Sequence, residues 1–259
     1  MKRPVARKRF GQHFLTDGGV IGALVEAIAP SAHDRIVEIG PGAGALTRPL
    51  LSRVECLRVV EIDRDIVARL KCEFPPEKLV IAEGDALSFD FGTFAADAKM
   101  RLVGNLPYNI STPLLFHLEK YADRVIDMHF MLQKEVVDRL GADPRTADYG
   151  RLSVMLQYRY VIDRLFDVPP ESFDPPPKVD SSVVRMIPRR REELKARDAM
   201  RFSRLVRAAF SQRRKMLRNT LKGEVTETDL ARAGISPTAR AEELSVDDYV
   251  RLANQKTED

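Results

Sequence analysis

The segment Gly-Asn-Leu-Pro-Tyr at 104–108 puts a carboxamide, backbone carbonyls, a rigid ring and an aromatic face within five residues. It follows the apolar pair Leu102-Val103, where a buried strand would end. An exocyclic amine on adenine is a poor nucleophile because its lone pair is delocalised into the ring. Two acceptors that take both of its N–H groups pyramidalise the nitrogen and free that lone pair. Asn105 offers a side-chain carbonyl for one N–H, and the carbonyl of Leu106, held out by the fixed φ of Pro107, offers the second. Tyr108 offers a face on which an extracted base can stack. The chemistry this set suits is methyl transfer by in-line attack, governed by alignment and electrostatics without a strong general base. Taken alone, the same residues make an ordinary strand-ending turn, so other positions must decide.

Three other groups recur at matching places. Gly40, Gly42 and Gly44 in "VEIGPGAGALT" form a tight turn after an apolar run and open a path to backbone N–H groups. Their spacing is G-x-G-x-G, not the G-x-G-x-x-G of a dinucleotide site. Glu61 closes a second apolar run, where a carboxylate can accept from both hydroxyls of a ribose. Asp85 closes a third. Gly40, Glu61, Asp85 and Asn105 are separated by 21, 24 and 20 residues. Singly they read as a turn glycine, a solvated Glu, a capping Asp and a turn Asn. Four on one edge point to a nucleoside pocket. NAD and S-adenosylmethionine both fit such a pocket; the glycine spacing and the amide of Asn105 favour the methyl donor over NAD.

The elements that must carry these residues alternate. Apolar strands are predicted at 35–40, 57–63, 79–85, 100–107 and 125–132, with helical patterns after the first, second and fourth. Thr16 or Asp17 caps an earlier helix that ends before Pro30, and Pro113 is acceptable in a first helical turn. The expected fold is α/β: a doubly wound, Rossmann-like parallel sheet covered on both faces, with the four residues on its carboxyl edge. From 151 the pattern changes to a helical 151–160, a proline-rich "VPPESFDPPPK" and a late strand at 178–188. Beyond Arg189 the sequence reads as helix, with breaks near Gly223, Gly234 and Pro237. The expected domains are 1–189, catalytic with a basic arm, and 190–259, helical.

Length and composition are consistent with this. With 44% apolar and 31% charged residues, the 259-residue chain can fill a core and is not disordered. No apolar run reaches the length of a membrane span, and the basic start lacks the apolar stretch of a secretory signal. Two cysteines and four histidines show no metal spacing, so a reduced, metal-free, cytoplasmic protein is expected. The net charge of +4 conceals segregation. Five of the first nine residues are basic, and 201–222 holds eight Lys or Arg and no acid. Two such blocks fit a polyanionic partner.

At these residues the chain resembles the small-subunit ribosomal RNA dimethyladenosine transferase family. The resemblance is carried by "RKRFGQHFL" (7–15), "VEIGPGAGALT" (37–47), "VVEIDRD" (59–65), "EGDAL" (83–87) and "GNLPYNIST" (104–112). "YGRLSVMLQ" (149–157), "VPPESFDPPPKVDS" (168–181) and "AFSQRRKMLRNTL" (209–221) extend it over nearly the whole chain. It implies a class I methyltransferase domain with a small all-α C-terminal domain. The implied activity is transfer of methyl groups from S-adenosylmethionine to N6 of two adjacent adenosines. These lie in the 3′-terminal hairpin loop of 16S rRNA, within an immature small subunit. By the same resemblance His13, Leu15, Gly40, Gly42, Glu61, Asp85 and Asn105 bind the cofactor, and Asn105, Leu106, Pro107 and Tyr108 handle the target base. Phe173 is implied to sandwich that base opposite Tyr108; its alternative is a core Phe. Family members often carry Asn where this chain has His13. Arg7, Lys8 and Arg9, and a helical cluster of Arg213, Arg214, Lys215 and Arg218, are expected on rRNA phosphates. A monomer is expected. The rivals are a macrolide-resistance-type large-subunit rRNA methyltransferase, a DNA adenine methyltransferase, an assembly or nucleic-acid-binding factor, and an NAD oxidoreductase.

Overall fold

Asp17 opens the first helix. Its carboxylate accepts from the N–H groups of Gly19 and Val20 at 2.8 and 3.2 Å, which satisfies two of the donors every helix start leaves open. That helix, α1 (Gly18–Ile28), buries Leu24, Val25 and Ile28 and stops at a left-handed Ala29, just before Pro30. The computed structural model to which it belongs describes residues 7, 11–95 and 98–255.

Strands β1 (Phe14–Leu15), β2 (Ile36–Ile39), β3 (Leu57–Glu61), β4 (Leu79–Glu83), β5 (Met100–Asn105) and β6 (Val125–Gln133) appear where apolar runs predict them, β1 excepted. β7 (Tyr160–Val168), β8 (Phe173–Asp174) and β9 (Ser181–Pro188) follow. Seven of them form one sheet in the order β4-β3-β2-β5-β6-β9-β7. The pairs from β4 to β6 are parallel, and β9 runs antiparallel to β6. β2 is buried at every position and β5 at all but Asn105, which is what a sheet covered on both faces requires. β7 was not foreseen. It lies at the edge and carries Asp163, Arg164 and Asp167, charges that protect an edge strand and also hide it from an apolar search. β1 and β8 pair separately, Phe14 with Asp174 and Leu15 with Phe173.

The helices are α2 (Thr47–Leu51), α3 (Arg64–Glu73), α4 (Gly92–Ala95), α5 (Ser111–Leu118), α6 (Lys134–Leu140), α7 (Arg151–Arg159), α8 (Ala199–Ala209), α9 (Leu217–Thr220), α10 (Glu227–Arg232) and α11 (Val246–Ala253). Among the described residues, none is long and apolar enough to cross a membrane.

The chain divides into two compact units, Met1–Val137 with Asp163–Pro188, and Asp138–Ile162 with Arg189–Asp259. One division falls between Pro188 and Arg189, and 138–162 groups with the C-terminal segment. The reason is packing within the second unit. Tyr149 donates its hydroxyl to Leu244 O at 2.8 Å, and the Tyr158 and Phe202 rings lie 4.3 Å apart. In this unit Ser245 and Asp248 cap α11 reciprocally, and Gly223 and Gly234 take positive φ at the predicted breaks. The segment 210–216 is a set of turns, not the expected helix. Phe210 is held among Tyr149 and Tyr249, and Leu217 N–H is drawn to Ala239 O at 2.8 Å, so the chain cannot continue along α8.

Candidate active site

The carboxyl ends of four parallel strands deliver the predicted residues to one place. After β2 the chain turns through Gly40 and Gly42 at φ +68° and +52°. A Cβ on Gly42 would also lie 3.1 Å from the Phe14 ring, so a side chain there is opposed twice. Gly104 serves differently: its missing Cβ would stand 2.5 Å from the carbonyl oxygen of Ile39. Only glycine lets β5 lie this close to the end of β2.

Together with the arm 11–15, these strand ends enclose a cavity of about 280 Å³, walled by 38–43, 60–62, 84–86 and 105–110. His13, Leu15, Gly40, Gly42, Glu61, Asp85, Asn105, Leu106, Pro107 and Tyr108 all line it. Phe173 does not. It pairs with Leu15 across the β1–β8 ribbon and is buried in the core, so the sandwiching position inferred for it is not where its side chain lies. The ring that stacks on Tyr108 is His13, with centroids 5.6 Å apart and planes at 23°.

Local bonding fixes the loop after β5. The Nδ2 of Asn105 donates to His13 O at 3.0 Å. Leu106 N–H goes to Met131 O, and Pro107 O accepts from Ile110 N–H and the Ser111 hydroxyl. Tyr108 shares a 2.7 Å hydrogen bond with the Ser181 hydroxyl. Among the described residues, Asn105 Oδ1 and the Leu106 carbonyl accept none of these bonds. His13 Nδ1 lies 2.7 Å from Pro175 O; since a carbonyl only accepts, that nitrogen carries the proton.

The electrostatics are acidic. Glu61, 5% exposed, accepts from Asp63 N–H at 2.8 Å and Gly42 N–H at 3.4 Å. Burial pushes its pKa up while these donors oppose the rise. Glu38, 2% exposed, also lines the cavity and was missed by the sequence reading. Burial pushes its carboxyl up to about 8, against a 2.7 Å bond from the Thr47 hydroxyl. The signal was a charged residue inside the apolar run before Gly40. No Lys or Arg is among the described residues lining the cavity. Three carboxyl groups, with no Lys or Arg among the described lining residues, suit a cationic donor and disfavour a pyrophosphate. This fits S-adenosylmethionine and not NAD.

The basic residues separate. Arg7, 35% exposed, is bound to the carboxylates of Asp63, at 3.0 Å, and Asp65. Lys8 and Arg9 lie outside the described residues. Arg213 is paired with Glu242 at 3.1 Å and donates to Ala147 O. Arg214 and Lys215 are exposed in turns, and Arg218 is exposed on α9.

Comparison with known proteins decides the family. The model of ribosomal RNA adenine dimethylase matches residues 4–258. The chain belongs to the ribosomal RNA adenine dimethylase family. It is 62% identical to ribosomal RNA small subunit methyltransferase A of Laribacter hongkongensis, over 100% of this chain and 98% of that one. It is 59% identical to the protein of the same name from Dechloromonas aromatica, over 98% and 99%. Among solved structures, a dimethyladenosine transferase from Plasmodium falciparum superposes with a TM-score of 0.78 at 25% identity, covering 93% of this chain and 96% of that one. The 23S rRNA methyltransferase ErmE gives 0.70 at 25% identity, over 93% and 98%. As an rRNA adenine dimethylase the protein is an enzyme, with S-adenosylmethionine as its methyl donor.

Proposed function

We propose that this adenine dimethylase methylates N6 of two adjacent adenosines in the 3′-terminal hairpin loop of 16S rRNA. It acts as a monomer in the cytoplasm, on an immature small ribosomal subunit. The observation that carries this is the carboxamide of Asn105. Its N–H end is tied to His13 O, and among the described residues its oxygen takes no hydrogen bond at the cavity it lines with Leu106.

S-adenosylmethionine supplies an electrophilic methyl on a positively charged sulfur. The chain's own residues do the rest. Glu61 holds the ribose, Asp85 reads the adenine of the donor, and Gly40, Gly42, His13 and Leu15 shape the walls around it. Asn105 Oδ1 and Leu106 O take the two N–H groups of the target amine and turn its lone pair toward the methyl. Tyr108, held by Ser181, presents the stacking face. The sheet-bearing unit carries this chemistry. The helical unit, which holds Arg214, Lys215 and Arg218, provides phosphate contacts. Full-length identity of 62% to a small-subunit enzyme favours this substrate over the large-subunit one named for ErmE.

Incubating undermethylated small subunits with labelled donor, then analysing nucleosides, tests the proposal. Label in N6,N6-dimethyladenosine confined to adjacent residues of the 3′ hairpin is the expected result. Label in large-subunit RNA alone would overturn it.

A further inference from the structure

Two carboxyl groups share the cavity; burial raises both, and they differ in the donors that oppose the rise. Glu61 receives backbone N–H donors from Gly42 and Asp63, which favour its ionised form. Glu38 receives one bond among the described residues, from the Thr47 hydroxyl. Its strand neighbours Val59 and Val103 are apolar and fully buried. The charged groups that act on it are Glu61 on β3 and Arg48 on α2. Arg48 is engaged by Glu73 at 2.6 and 2.8 Å, so it is a weak counter-ion for Glu38. Across the cavity the other titratable groups among the described lining residues are Asp85, an acid, Tyr108, a phenol bonded to Ser181 and raised by burial, and His13, whose Nδ1–H is committed to Pro175. Nothing in this set neutralises an ionised Glu38, so the proton of the acidic pair rests there.

A cation entering such a cavity favours the ionised carboxylate, and a neutral occupant does not. The methyl donor and its product differ in this respect: one carries a sulfonium, the other a thioether. We propose that Glu38 is a specificity-determining residue that holds a proton in the empty cavity, releases it when the sulfonium donor enters, and regains one when only the thioether remains. This rests on the assignment of the cavity to S-adenosylmethionine. Methyl transfer itself removes the charge that keeps Glu38 ionised, so the product loses a partner the donor had. With burial pushing the carboxyl up to about 8, the linkage falls near neutral pH. Below that value the free protein carries the proton. Donor affinity should therefore rise with pH, by at most about tenfold per unit, and level off above it. Product affinity should stay flat.

Isothermal titration of the full-length protein at pH 7, in buffers of different ionisation enthalpy, counts the protons directly. S-adenosylmethionine should release up to one proton, and S-adenosylhomocysteine none. Glu38→Gln should abolish the release and cut the preference for donor over product by about tenfold or more, the effect of a charge that moves a neighbour's pKa by one unit. Thr47→Val tests the same point should Glu38→Gln fold poorly. It removes a bond that favours the ionised form, so the pH midpoint of donor affinity should move up. Equal proton release with both ligands, or release that persists in Glu38→Gln, would overturn the inference while leaving the cavity assignment intact. Binding of neither ligand would overturn both.

Discussion

The two ends of β5 carry Arg101 and Asn105, four residues apart on one strand, and treat their polar groups in opposite ways. At the amino end nearly every donor of Arg101 is used. Its Nε and Nη2 reach Asp127 at 2.9 and 2.8 Å, and its Nη1 reaches Asp34 at 2.7 Å. The same guanidinium takes the Ile28 and Ala29 carbonyls, which α1 leaves open at its end. At the carboxyl end Asn105 uses its N–H for His13, and among the described residues neither its oxygen nor the Leu106 carbonyl beside it takes a bond. Saturation makes one end a clamp between helix and sheet. Withheld bonding makes the other a site, because an acceptor already satisfied cannot activate an amine.

Breaking the clamp should have the largest effect. Arg101→Met leaves Asp34 and Asp127 facing each other, and two open carbonyls, in a mostly buried place. Stability should fall by about 3 kcal/mol, the low end for a broken buried pair because both acids keep some solvent contact. Denaturant unfolding measures it. A loss below about 1 kcal/mol would place Arg101 with ordinary surface pairs and erase the contrast. Asn105→Ala should behave in the mirror sense. Unfolding stability should change little and donor affinity stay within a few-fold. Turnover should drop about 10²–10³-fold, as for loss of one preorganised polar group at a reacting centre. Unchanged turnover would mean that the free oxygen has no part in activating the amine.

The same contrast explains what was legible beforehand. Gly40, Glu61, Asp85 and Asn105 could be placed on one edge because strand–helix alternation fixes which end of each strand is which, and turn residues mark that end. Glu38 escaped because it sits inside an apolar run, where a single charge reads as an exception rather than as a wall of the cavity. For Phe173 the sequence left a core position open beside the sandwiching one, because two-residue pairing with β1 depends on contacts across 158 positions, which no local pattern carries. The turn at 210–216 escaped for a similar reason. Its arginines are good helix formers, and only the distant partners of Phe210 and Leu217 override that preference.

Glu61 sharpens the comparison at intermediate size, since it is a group partly used. Its oxygens already accept backbone N–H groups, yet it lines the cavity. Glu61→Ala should weaken donor binding by about 1–3 kcal/mol, the range for hydrogen bonds to a charged group. Glu61→Gln, which keeps one acceptor, should lose less. Titration with S-adenosylmethionine distinguishes them, and an unaltered dissociation constant in both would remove the ribose from this carboxylate.

The smallest effect is expected where the contrast recurs in the helical unit. Arg213 is the used residue there, held by Glu242 and Ala147, and Arg214 is the exposed neighbour with no ion pair among the described residues. Charge counting alone would treat them alike. Bonding says otherwise. Arg214→Ala should lower affinity for the ribosomal particle and reduce the slope of log affinity against log salt by about 0.7–0.9, one phosphate contact. Arg213→Ala should leave that slope nearly intact and instead cost up to about 1 kcal/mol of stability, as for an exposed pair. Equal slope changes in the two variants would show that the Glu242 pair opens on RNA binding. Arg213 would then count with Arg214 among the phosphate contacts, and the division between used and available groups would not extend to this unit.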